Sequence, residues 1–226
     1  HKNKDGSLPE ALQHELKVMM HIDHPGILPI SDYQMVNDDV LLIRSMIDGE
    51  TLEQILKTKG VYEAQAIDLF RQIIAGLIEL HGHKLHLGHC TPKSLRIAPD
   101  GTLVFADTGL INRLHAITSM TGEFSSQDAP MYATPERIQG RTVDTRSDIY
   151  LAGLIGYEML AGVPVYHKGS IKDILYAHVT EPIPDLPDSS HPLNTLFKEM
   201  LQKTPSKRIQ SAEAVLSRLN VLVGQV

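Results

Sequence analysis

Residues 147–161, SDIYLAGLIGYEMLA, are apolar on most faces of a helix. A helix without a solvent face must sit inside the molecule, so the rest of the chain has to wrap around it. A second segment, residues 62–81, carries Ile67, Phe70, Ile73, Ile74, Leu77, Ile78 and Leu80 and predicts a long, mostly buried helix. Two such helices in 226 residues, with 42% hydrophobic content, predict one large domain, or two small lobes sharing a core.

Around that centre the punctuation is regular. Leu12, Leu16, Met19 and Met20 recur at helical spacing over residues 10–22, and His24-Pro25-Gly26 ends that helix. The apolar runs 27–35 and 40–47, separated by Asn37-Asp38-Asp39, predict an antiparallel pair. Asp48-Gly49-Glu50 reads as a break, after which Thr51 and Gln54 form a capping box. Leu95–Ala98 and Thr102–Ala106 flank the hairpin turn Pro99-Asp100-Gly101. Residues 108–133 are polar and aperiodic, a length that inside a compact domain marks a functional or mobile segment. Further helices are expected at 170–178, 192–202 and 211–223. The fold class is therefore α+β: a short αββ piece, residues 1–47, joined to a larger, mainly helical piece, residues 48–226, that holds one β-hairpin.

Acids outnumber bases 27 to 21, for a net charge of −6. That balance argues against a nucleic-acid binder working by phosphate neutralisation. No run approaches the length of a membrane span, and no signal peptide is visible. One cysteine, Cys90, leaves no internal disulfide framework and fits a reducing, cytoplasmic setting, as a free protein or as the cytoplasmic part of a larger one.

At this point the chain resembles the eukaryotic-type Ser/Thr protein kinases of bacteria, from about Glu10 to Leu222. His24-Pro25-Gly26-Ile27 is similar to the H-P-N-I after the family's αC helix. Tyr132-Ala133-Thr134-Pro135-Glu136 is similar to Y-M-A-P-E. Ser147-Asp148-Ile149-Tyr150, with Gly153 and Tyr157-Glu158-Met159-Leu160, resembles the central-helix motif. Ala177-His178-Val179 with Pro182 and Pro184, and Lys203 through Arg208, resemble later segments. The resemblance implies a kinase-like fold whose N-lobe is partial, beginning about where the strand bearing the nucleotide lysine would end. It also implies scaffold roles: Glu136 paired with Arg208, Asp148 holding the catalytic-loop backbone, and Glu15 as the αC glutamate.

Phosphoryl transfer needs a base, cations on the phosphates and metal-holding side chains. Counting back from Asp107-Thr108-Gly109 at the D-F-G position, H-R-D falls on Leu87-Gly88-His89. The catalytic Asp is then His89, the following Lys is Thr91, the metal-binding Asn is Ser94, and the bracing Thr is Ala129. Only Asp107 keeps its identity. Losing a general base lowers a rate by ~10²–10⁴ and losing one preorganised electrostatic group by roughly 10²–10³. From a kinase range of about 1–100 s⁻¹, turnover would drop to about 10⁻³ s⁻¹ or slower. Arg44 falls at the gatekeeper and Arg96 at the floor of the adenine pocket, so both are candidates for blocking it. Each guanidinium is expected to reach an acid, Arg44 pairing with Glu15 or Asp107.

The resemblance thus implies a pseudokinase, without cofactor or metal, acting as a regulatory module for a protein partner such as a phosphothreonine-binding protein or another kinase. Two alternatives stay open. One is a weak or atypical ATP-dependent Ser/Thr kinase using His89 and Asp107. The other is a metal-binding module through His81, His83, His86 and His89 around Cys90. Thr118, Ser119, Thr121, Ser125 and Ser126 are candidate phosphorylation sites. With Gly88 at the Arg position of H-R-D, the family's phosphate-reading switch is expected to be cut. Met19, Leu87 and Thr108 should form an imperfect version of the family's interlobe stack.

Overall fold

The computed structural model describes residues 10–36, 39–108 and 129–224. The candidate phosphorylation sites at 118–126 and Gly109 lie outside that set, as do the side chains of Leu12 and Ala129. Helix α1 (Glu10–Met19) is followed by the antiparallel pair β1 (Ile30–Val36) and β2 (Asp39–Arg44). The expected run from Ile27 enters the strand only at Ile30, because Pro29 has no N–H to offer a ladder. Ile27 instead makes a parallel bridge with Phe105, and Phe105 N–H donates to the Gly26 carbonyl at 2.8 Å. These bonds tie the loop after α1 to the hairpin of the larger piece.

The break at residues 48–50 is a strand in part. β3 (Glu50–Thr51) pairs with β4 (Leu95–Ile97), which pairs with β5 (Leu103–Phe105), all antiparallel. Thr51 then caps α2 (Leu52–Thr58) with the reciprocal Gln54 contacts of a capping box. Helix α3 (Glu63–Gly82) follows, and three short 3₁₀ turns cover Pro92–Ser94, Ala129–Tyr132 and Pro205–Lys207. The remaining helices are α4 (Pro135–Ile138), α5 (Thr145–Ala161), α6 (Ile171–Thr180), α7 (Leu193–Met200) and α8 (Ala212–Leu222).

Every residue of α5 from Ser147 to Met159 is buried, as its all-round apolar sequence requires. Close packing there depends on missing side chains. A Cβ on Gly156 would sit 2.7 Å from the Phe70 ring of α3, and one on Gly76 would sit 2.5 Å from the Phe105 ring. Leu16 and Met19 turn the inner stripe of α1 onto the same continuous core, together with Leu87. Met19, Leu87 and Thr108 are all buried. No helix among the described residues is long and apolar enough to cross a membrane.

Candidate functional site

The turn from α3 back to β4 carries residues 83–94, and one carboxylate anchors it. Asp148, at the start of α5 and wholly buried, accepts from Leu87 N–H at 2.9 Å and Gly88 N–H at 3.0 Å. Its Oδ2 also lies 3.0 Å from His81 Nε2. A carboxylate satisfied by two backbone donors and an imidazole fixes the loop backbone at the position assigned to H-R-D.

Beyond that anchor the side chains serve the loop itself. Thr91 N–H donates to Ser94 Oγ at 3.0 Å, and Ser94 Oγ donates back to the Thr91 carbonyl at 2.9 Å. The two residues assigned to the Lys and metal-binding Asn positions thus close a one-turn capping motif around Pro92. The Ser94 carbonyl accepts from Ala106 N–H at 2.9 Å, which holds Asp107 next to this turn. Ala129 opens the 3₁₀ turn that leads to Tyr132.

His89 is half-buried between a cation and an anion. Its pKa is pushed down to about 4, first by burial and second by the Arg137 guanidinium, against the opposing pull of Asp107. At neutral pH it is an uncharged, weakly basic imidazole. Arg137 is exposed overall, and partial desolvation of its guanidinium lowers its pKa. Nothing in the sequence distinguishes Arg137 from a surface arginine after Glu136; its approach to His89 is made by the fold.

Both candidate blocking arginines find carbonyl oxygens, which corrects the expectation of acidic partners. Arg44, at the end of β2, turns inward and Nη1 donates to the Ala106 carbonyl at 2.5 Å. Burial lowers its pKa, and Asp107 pulls the other way, so the acid attracts the guanidinium without bonding it. Nη2 is buried and has no hydrogen-bond partner among the described residues. Arg96 lies opposite Thr51 and Val104 on the β3-β4-β5 sheet, and its Nη1 donates to the Gly49 carbonyl at 2.9 Å. One guanidinium therefore tethers the connection between the two pieces, and the other tethers the strand end that carries Asp107. A backbone carbonyl suits both because it neutralises an N–H without demanding a second buried charge.

The histidine cluster is dispersed. His81 faces Asp148, His83 Nε2 faces Glu79 at 3.1 Å, and Cys90 is a buried thiol raised to about 12 by that burial, with Ser94 opposing. Among the described residues, no three histidine, cysteine or acidic side chains are grouped to hold a metal ion. The scaffold residues converge: Glu136 and Arg208 pair in the interior, and Tyr132 Oη donates to Glu158 at 2.5 Å.

The family model described as "Protein kinase domain" matches residues 1–219. The chain is 28% identical over 208 residues to "Serine/threonine-protein kinase PknD" of Mycobacterium tuberculosis, covering 89% of this chain and 31% of that protein. It is 25% identical over 200 residues to "Probable serine/threonine-protein kinase PknB" of Lactococcus lactis, covering 88% and 32%. It is 26% identical over 199 residues to "Serine/threonine-protein kinase 36" of Mus musculus, covering 88% and 15%. The chain thus spans about a third or less of the length of these relatives.

Proposed function

Because this chain belongs to the protein kinase domain family and carries His89 where the family's motif has its catalytic Asp, we propose that it is a pseudokinase, a kinase-like domain that binds and regulates a protein partner. The observation that carries the reading is the state of His89. An imidazole kept uncharged by burial and by the Arg137 guanidinium brings no negative charge to an attacking hydroxyl, whereas the family's Asp brings a carboxylate. The neighbouring positions support the reading. The Ser94 hydroxyl is spent on the Thr91 main chain, and Arg44 places a cation beside Asp107, where a metal ion would have to compete with it.

One observation favours a second reading, an atypical ATP-dependent kinase. Asp107 is retained beside the Ser94 turn, and the relatives carry the names of serine/threonine kinases. The two readings separate in a thermal-shift titration with ATP–Mg²⁺ and ATP–Mn²⁺, run alongside a phosphotransfer assay. The pseudokinase reading expects no phosphotransfer and no saturable shift. A saturable shift lost in Asp107→Ala, together with turnover, would overturn it in favour of the kinase.

A further inference from the structure

We propose a divalent transition-metal site outside the cleft, formed by His21 at the end of α1 and His83 at the end of α3. The sequence grouped His83 with its neighbours in the chain; the fold turns it toward α1 instead. His14, Lys17, Val18 and His21 form one stripe of α1 and the turn after it, and with His83 they line an open cavity of about 290 Å³. No carboxylate is among the lining residues.

The hydrogen bonds of both imidazoles leave the other ring nitrogen available. His21 Nδ1 lies 2.6 Å from the Lys17 carbonyl. A carbonyl only accepts, so Nδ1 carries the proton and the neutral ring has its lone pair on Nε2. His83 Nε2 lies 3.1 Å from the Glu79 carboxylate, so by the same reasoning its lone pair is on Nδ1. A backbone carbonyl behind one imidazole and a carboxylate behind the other is the supporting arrangement that metal-ligating histidines use, because it fixes the tautomer and raises ligand basicity. Each ring also sits at a helix C-terminus, where the dipole favours positive charge. Lys17 is exposed, so its ammonium can stay in water.

Since no triad is grouped among the described residues, the ion is held by two imidazoles and completed by water, with His14 on the rim of the same cavity. Imidazole ligands select Zn²⁺, Cu²⁺ or Ni²⁺ over Mg²⁺ or Ca²⁺. Bound there, the ion links α1 to the end of α3. The proposal is independent of whether the cleft is catalytic.

The test is a thermal melt of the full chain with Zn²⁺ or Ni²⁺ against Mg²⁺, with EDTA reversal and one-to-one stoichiometry by calorimetry. The expected result is a rise in Tm of roughly 3–6 °C at an ion concentration about ten times the Kd. That rise is lost in His21→Gln and in His83→Gln and kept in His191→Gln, a mostly buried histidine bonded to Glu63 and Leu193 N–H in the loop before α7, each variant being compared with its own metal-free melt. Both target side chains are exposed, so the variants should fold. No shift in the wild type, or a shift that survives the His21→Gln/His83→Gln double variant, overturns the site.

Discussion

Arg208 grips Glu136 with both ends of its guanidinium: Nη1 meets Oε1 at 2.8 Å and Nη2 meets Oε2 at 2.6 Å. Neither residue is more than 3% exposed. Ser147 Oγ donates to the same Oε1 at 2.5 Å, and Arg208 also reaches the carbonyls of Arg146, Gln202 and Lys203. One buried pair therefore joins α4, the start of α5 and the loop before α8. Burial pushes the Glu136 pKa up, but the Arg208 and Ser147 hydrogen bonds outweigh it and leave the carboxyl below its ordinary range.

Removing one partner strands the other charge. Arg208→Met or Glu136→Gln should destabilise the fold by about 3–5 kcal/mol, a drop in Tm of roughly 6–20 °C for a domain this size. The double variant Glu136→Leu/Arg208→Met should recover part of the loss, since an apolar pair strands nothing. Urea melts of the three variants check this. A double variant less stable than either single one would refute it.

The pair was legible because charged residues at matching motif positions can be paired across 72 residues by resemblance alone. The amphipathic helices, the Thr51–Gln54 capping box and the Pro99-Asp100-Gly101 hairpin were legible from local chemistry. What escaped the sequence shares one cause. The partners of Arg44 and Arg96 are the carbonyls of Ala106 and Gly49, and a carbonyl is present at every residue, so it leaves no mark in a sequence. The strand at Glu50–Thr51 escaped likewise, since two residues give no period and β4 alone supplies the ladder. The approach of Arg137 to His89 and of His21 to His83 depends on where separate helices end, which no local pattern encodes.

Acid should destabilise the fold well before its carboxylates titrate. His178, wholly buried and bonded through Nδ1 to Tyr150 Oη at 3.0 Å, is pushed down to about 3 by burial and then by Lys203. His89 is pushed down to about 4. Both are neutral when folded, whereas the unfolded chain protonates them near pH ~6.5. The unfolded state then binds more protons, so stability is full above that pH and falls as pH drops toward about 4. Each group contributes up to about 1.4 kcal/mol per pH unit in that window. Urea midpoints from pH ~7 to ~4.5 should slope downward, and His178→Phe should flatten the slope. An unchanged slope in that variant would show that His178 does not carry it.

Gly156 tests the packing of the central helix. Its missing side chain admits the Phe70 ring, which lies 5.7 Å from the Phe197 ring, centroid to centroid. Alanine at a free helix position gains about 1 kcal/mol over glycine. Here a methyl 2.7 Å from Phe70 and 3.0 Å from Phe197 must force both rings aside, which costs about 1–3 kcal/mol. Gly156→Ala should therefore be destabilising or at best neutral, while Gly60→Ala, with nothing within 4 Å but a left-handed φ of 66°, should lose only the strain of that backbone. Thermal melts rank the two, and a stabilised Gly156→Ala would contradict the packing.

Arg44 tests the cleft. Its guanidinium makes one bond to Ala106 and leaves Nη2 buried without a partner. A hydrogen bond to a charged group contributes about 1.5–3 kcal/mol, and an unsatisfied buried donor costs about 1–3 kcal/mol. The two nearly cancel, so Arg44→Met, which keeps the stem and removes the charge, should leave Tm within about 4 °C of the wild type. The same change removes the cation that competes with a metal at Asp107. Pairing it with Arg96→Leu also releases the tether at Gly49 and replaces a charge with an apolar surface. The double variant should then show a saturable thermal shift with ATP–Mg²⁺ that the wild type lacks, still without phosphotransfer because His89 is unchanged. If the double variant stays as unresponsive to nucleotide as the wild type, the two arginines are not what closes the cleft.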